Sequence, residues 1–539
     1  MKKILFNGKV YLEREKFTQA VLIEDDLIAD VGTDEEILKQ RTEDTEMIDL
    51  EGRTLIPGLN DSHAHVLFLG KYLNSIQLLG VQSIEEVIAR SKEFLKTHTI
   101  LPGQVLTGQG WNQEQFPAEE KRFLDRHDLD KISTEIPIIF DRTCGHVISC
   151  NTKALEIAGI TAETPQPVGG SFEIGEDGKP NGIFKELGDR ELKKIIPLPT
   201  RETIEQYILL GAEHMISYGM TSVQSMNVRE NREQDDIFAV ILKLREEGRL
   251  PIRMYEQNYF TDPQIFEAYL ESDFYKNLKN DNMYKQGSLK TFLDGSLGGR
   301  TALMKRDYAD APGERGMSAV SKDDFFKMVE IAHKHKCQIL VHAIGDDAIE
   351  TALEAYAGVN EPGKNPYRHA VLHCQITDYS MLKRFKDTDT LALVQPVFLN
   401  SDWSIVEKRV GKDLAKTSYA FKTMLNLGVH VGLGTDAPTE DINPFECIYC
   451  AVTRKDLAGM PKEGYYPEEC LDIYDAVDGY TIGSAYASFE EDVKGRIKKG
   501  YYADLAVLNE DIFTVSPEEI KNIKADLTIL GGKIIYRRK

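Results

Sequence analysis

Along this chain short apolar runs alternate with longer amphipathic stretches, the pattern of parallel strands joined by crossover helices. The first run, Thr54-Leu55-Ile56-Pro57-Gly58-Leu59, leads straight into Asn60-Asp61-Ser62-His63-Ala64-His65. Seven more strands are expected at 221–225, 252–255, 288–293, 338–342, 369–373, 391–395 and 430–435, with helices between several of them, such as 201–215 and 323–336. Eight strand–helix units predict an α/β fold, a (β/α)8 TIM-type barrel spanning 57–489, with its chemistry at the carboxyl ends of the strands.

The two ends have a different texture. Residues 1–56 read as strands joined by tight turns, Asn7-Gly8 among them, and 490–539 repeat that texture, with Ala503-Asp504-Leu505 echoed by Ala525-Asp526-Leu527. Together they predict a small composite β-sandwich domain assembled from both termini. The interval 67–200, after strand one, is far too long for a βα connection and predicts an inserted lid or subdomain.

Composition narrows the partners. The chain has 539 residues and a formal net charge of −22 with no basic stripe, which argues against nucleic acid and anionic membrane surfaces. The amino terminus lacks the apolar core of a signal peptide, and no apolar stretch approaches the ~18 residues of a membrane span. Seven cysteines without framework spacing fit a reducing, cytoplasmic setting. Cys447-Ile448-Tyr449-Cys450 has the form of a redox pair or half a zinc ribbon, but it has no second pair and falls in an expected helix.

His63 and His65, at i and i+2 on a strand, project to the same side ~7 Å apart and can lean onto one ion. Lys290 on strand four, His342 on five, His373 on six and Asp436 after eight also fall at strand ends. Metal-compatible side chains from five of the eight strands are hard to reconcile with chance. His333-Lys334-His335 lies in an expected helix, where such a pair diverges by about 200° and cannot share an ion. His369 and His430 open their strands at the barrel floor. Lys290, a cation, needs a reason to sit there: either pairing with a carboxylate such as Asp294, or carboxylation by carbon dioxide to an anionic carbamate. Trp111, His146 and Arg300 are candidates for substrate contact.

The run Leu55 to His65, with Lys290 before Asp294-Gly295-Ser296-Leu297-Gly298, Val341-His342-Ala343, His373-Cys374-Gln375 and Gly434-Thr435-Asp436-Ala437-Pro438, resembles the amidohydrolase superfamily. The details are similar to the amidohydrolase 3 group, which includes N-substituted formamide deformylases. That resemblance implies one or two ions, Zn2+ or another divalent metal. His63 and His65 would hold the more buried ion, His342 and His373 the more exposed one, and carboxylated Lys290 would bridge a binuclear pair. Asp436 would be both ligand and catalytic proton carrier. The implied activity is hydrolysis of carbon–nitrogen bonds other than peptide bonds in a small amide, formamide or cyclic amide. Ester or phosphoester hydrolysis, deamination and isomerisation stay open as uses of the same site, as does a non-catalytic scaffold. Homologous barrels are often homo-oligomers.

Overall fold

The computed structural model describes residues 2–100, 103–142, 147–167, 170–186, 188, 190–228 and 234–539. The chain forms two compact units, Met1–Leu67 with Gly211–Lys539, and Phe68–Leu210.

The first unit is built on an eight-stranded parallel sheet in sequential order: β1 Leu59–Ala64, β2 Met220–Ser225, β3 Arg253–Tyr259, β4 Tyr284–Phe292, β5 Ile339–Ala343, β6 Ala370–His373, β7 Leu391–Val394 and β8 Val431–Leu433. All eight expected strands are present. Five of them are buried along their whole length, as strands covered on both faces must be; β3 and β5 each carry a single half-buried position. The seam between β8 and β1 is closed just past the strand ends. There the Asp436 amide donates to His63 O (2.9 Å) and the His65 amide to Ala437 O (2.9 Å). Gly434 makes that approach feasible, since a Cβ there would meet Asp61 Oδ1 at 2.5 Å and the His63 nitrogen at 2.8 Å.

The terminal segments of the same unit form two further sheets. One has the order Leu27–Gly32, Ala20–Glu24, Lys2–Phe6, Glu46–Asp49. The other runs Lys533–Arg537, Ala525–Leu530, Leu505–Leu508, Thr54–Pro57, Lys9–Glu13, Lys16–Thr18, so a carboxyl-terminal strand pairs antiparallel with the segment that leads into β1. Leu5, Val21, Leu55, Leu505 and Ile529 share one core. Arg253 of β3 ties the barrel to this core through a buried pair with Asp504 (2.6 and 3.1 Å). The reading of 1–56 as strands and turns missed a short helix, Asp34–Leu38, closed by a capping box between Thr33 and Glu36.

The second unit holds a mixed six-stranded sheet ordered Gly170–Ile174, Pro180–Glu186, Val147–Cys150, Ile138–Arg142, Leu106–Trp111, Ile76–Gln77. Leu106, Trp111, Ile138 and Phe140 pack in its core with Val87 of the helix Ile84–Thr97. No helix among the described residues is long and apolar enough to cross a membrane.

Candidate metal centre

Strand β1 delivers two imidazoles to the barrel mouth on one side of the sheet. The Nε2 atoms of His63 and His65 lie 3.3 and 3.0 Å from Asp436 Oδ1. One ligand atom from each of the three residues falls within 4.8 Å of the others. His63 is 1% exposed, His65 2% and Asp436 8%. The β5 and β6 histidines complete the cluster. The rings of His342 and His373 are 4.4 Å apart between centroids, and that of His373 is 6.0 Å from that of His63. His373 also stacks on Phe398 at 5.6 Å.

Each ring is held from behind. His63 Nδ1 meets Gln257 Oε1, His65 Nδ1 meets Met226 O at 2.8 Å, His373 Nδ1 meets Gln395 Oε1 at 2.8 Å, and His342 Nε2 meets Gly295 O at 3.0 Å. Behind those contacts, buried carboxylates fix the main chain. Glu256 accepts from the Asn227 amide (3.1 Å) and side chain (2.8 Å), anchoring the residue next to Met226. Asp294 accepts from the amides of Leu303, Ile344 and Gly345 at 2.8–3.1 Å, pinning the loop after β4 against the end of β5. Asp61 accepts from the amides of His63 (3.0 Å) and Thr435 (3.1 Å) and from the Thr435 hydroxyl (2.7 Å). Burial pushes all three carboxyls up to about 7.

The electrostatics fit a bound cation. Burial, opposed by contact with Asp436, lowers His63 to about 4. Burial and the nearby Lys290 charge lower His342 to about 3, and burial with the adjacent His342 holds His373 well below its usual range. These rings are neutral near pH 7, the form in which imidazole binds metal. For Asp436, burial acts to raise the pKa, but contacts with His63 and His65 hold it well below the carboxylate range. A neutral His63 whose Nδ1–H is given to Gln257 presents its Nε2 lone pair to an ionised carboxylate, an arrangement that a cation between them makes favourable. Lys290 is fully buried on β4, with Nζ 4.0 Å from the Phe292 ring centroid.

Trp111 belongs to the second unit, where it is fully buried and its indole N–H donates to Phe140 O at 3.3 Å. Arg300, on the loop after β4, is held by Asp310 at 3.0 and 3.2 Å. His146 lies outside the described residues. Cys447 and Cys450 are both buried in the helix Pro444–Thr453. His369 accepts from the Ile339 amide (3.2 Å) and stacks on Tyr356. Glu267, Glu271 and His335 form a second cluster of metal-compatible atoms away from this centre, but Lys334 already pairs with Glu267 at 2.6 Å. Sequence reasoning missed Gln257 and Gln395. For Gln395 the available signal was a polar residue closing an apolar strand, Leu391-Ala392-Leu393-Val394-Gln395.

Comparison with known proteins gives a consistent picture. A model described as "Amidohydrolase family" matches residues 46–536. The putative amidohydrolase YtcJ of Bacillus subtilis (strain 168) is 31% identical over 543 residues, covering 100% of both chains. The N-substituted formamide deformylase of Arthrobacter pascens is 24% identical over 547 residues, covering 97% of this chain and 96% of that one. The crystal structure of an uncharacterized metal-dependent hydrolase from Pyrococcus horikoshii superposes with a TM-score of 0.78 at 28% identity, covering 96% of this chain and 99% of that one.

Proposed function

The chain belongs to the amidohydrolase family and is a metal-dependent hydrolase, and from that premise we propose that it cleaves carbon–nitrogen bonds other than peptide bonds in a small amide, formamide or cyclic amide. The observation that carries this reading is the convergence of His63 and His65 on Asp436 beside the His342–His373 pair. The formamide deformylase relative, so named, supports the substrate class.

In this reading His63 and His65 would hold one zinc ion, and His342 and His373 would hold a second. The side chain of His342 is 14% exposed against 2% for His63, which supports the more open position of the second ion. The Lys290 amine would add to carbon dioxide with loss of a proton, giving a carbamate that would serve both ions. The full burial of Lys290 near the carboxyl end of β4 supports that placement. When bound, the zinc supplies Lewis acidity. Asp436, ionised and facing both β1 histidines, accepts the proton of the attacking water and returns it to the departing amine. Six described cysteines, none in a disulfide, support a reducing compartment.

The test is a panel of small formamides, amides, cyclic amides, esters and phosphoesters, with released amine, formate, ammonia and phosphate measured before and after chelation. Amine release that chelation abolishes and zinc restores is the expected result. Full activity in the chelated protein, or activity confined to esters and phosphoesters, overturns it.

A further inference from the structure

The oxygens behind the four histidines are all of one kind. Gln257 Oε1, Gln395 Oε1, Met226 O and Gly295 O are neutral carbonyl oxygens that can only accept, so the ring nitrogen facing each must carry the proton. His63, His65 and His373 are thereby left with Nε2 as the nitrogen that bears a lone pair. His342, approached at Nε2, is left with Nδ1. Two of the four acceptors are main-chain groups placed by the fold. The other two are side chains, and a substitution can remove them.

We propose that Gln257 and Gln395 are positioning residues that select Nε2 of His63 and His373 as the metal-facing nitrogen and do so without adding charge. The inference rests on the reading of those two histidines as ligands. The orientation of Gln257 is fixed independently, because its Nε2 donates to Ser62 O at 3.1 Å and so turns Oε1 toward His63. Both glutamines are buried, at 0% and 1% exposure. At such positions an apolar side chain of similar volume would avoid the cost of desolvating an amide. Their value lies in the oxygen. A carboxylate would orient the ring equally well, but it would also draw the ring proton and make the imidazole a stronger donor. With neutral acceptors, compensation of the cation's charge is left to Asp436 and, in its carboxylated form, Lys290.

The test uses full-length Gln257→Met, Gln395→Met, Gln257→Glu and Gln395→Glu proteins. Each is stripped with a chelator, and Zn2+ affinity is measured by competition with a chromophoric chelator. The visible spectrum of the Co2+ form reports ligand geometry, and circular dichroism reports the fold. The Met variants are expected to bind Zn2+ about 10- to 100-fold more weakly and to shift the Co2+ bands. The Glu variants, which keep the acceptor, are expected to bind at least as tightly as the natural chain and to keep its bands. Natural affinity in both Met variants overturns the proposal. So does equal weakening in folded Met and Glu variants, which would mark a packing role. A natural chain that binds neither ion overturns the metal reading itself, whereas one that binds both ions with indifferent variants overturns only this inference.

Discussion

Asp61→Ala removes one carboxylate and strands three donors. The amides of His63 and Thr435 and the Thr435 hydroxyl all point at Asp61, which has no solvent exposure, so water cannot replace it without entering the seam. Each unsatisfied buried donor costs about 1–3 kcal/mol. The carboxyl's own burial, which pushes it up to about 7, offsets part of the sum. A local loss of about 3–5 kcal/mol is expected. Asp61 holds the segments on both sides of the bond from the Asp436 amide to His63 O, so the same change lets the facing side chains of His63 and Asp436 drift apart. Because a chain of two compact units need not unfold in one step, the measurement is hydrogen exchange, read in a peptide spanning 431–438, together with Zn2+ affinity. Exchange there should accelerate by about 10²- to 4 × 10³-fold, with 1.4 kcal/mol per decade, and Zn2+ affinity should fall at least about tenfold. Unchanged exchange with natural affinity would refute the claim that this carboxylate holds the site together.

Three further outcomes follow from the same geometry. Arg253→Met leaves Asp504 buried without its cation and should cost about 3–5 kcal/mol, lowering the thermal midpoint, while Arg253→Met with Asp504→Leu should recover most of it. Burial, assisted by His333, lowers His369 to about 3 from 6.5. The unfolded chain therefore takes up that proton first as pH falls, so the contribution is complete above pH 6.5 and is lost as pH drops toward 3. Between pH 6.5 and 4 the natural chain should lose about 3 kcal/mol more than His369→Gln, measured by denaturant midpoints. Lys290→Met should reduce bound zinc from two equivalents to one or none by elemental analysis, and unchanged content would remove the bridging role.

The barrel was legible because its strands are short, buried and mostly apolar. Runs such as Leu391-Ala392-Leu393-Val394 and Ile339-Leu340-Val341 read as doubly covered strands without any tertiary information. The His63–His65 pair was legible through the two-residue repeat of a strand. Gln257 was not, because β3 continues to Tyr259 through Glu256-Gln257-Asn258, a polar run that resembles a loop. Those side chains are buried because the mouth of this barrel is lined with hydrogen-bonding groups. Periodicity alone does not distinguish a polar interior from solvent. The short helix at Asp34 did carry a readable signal, Thr33 followed three residues later by Glu36, but the flanking strands dominated the pattern.

Main-chain conformation explains why the geometry of the candidate site stays hidden even where its residues do not. His373, Cys374 and Asp436 all adopt left-handed φ values, 75°, 49° and 59°, a region that costs a non-glycine residue of order 1–3 kcal/mol. His and Asp tolerate this region better than most residues, but for Cys374 no such preference exists, and the surrounding fold imposes the conformation on all three. The turn after His373 is held on both sides by Ile376 N–H donating to Ile344 O (3.0 Å) and Tyr419 N–H donating to Gln375 O (2.7 Å). Asp436 is held through its own amide on His63 O and by Thr439 N–H on its carbonyl, each at 2.9 Å. At both places the chain leaves the strand direction abruptly, and that reversal turns the side chain toward its partners. A regular strand would send alternate residues to opposite faces and could not deliver His373 to Gln395 and Phe398 while burying Cys374 beside it. At His373, Cys374 and Asp436 the left-handed turns fall where the barrel's regular geometry and the geometry of the candidate site disagree.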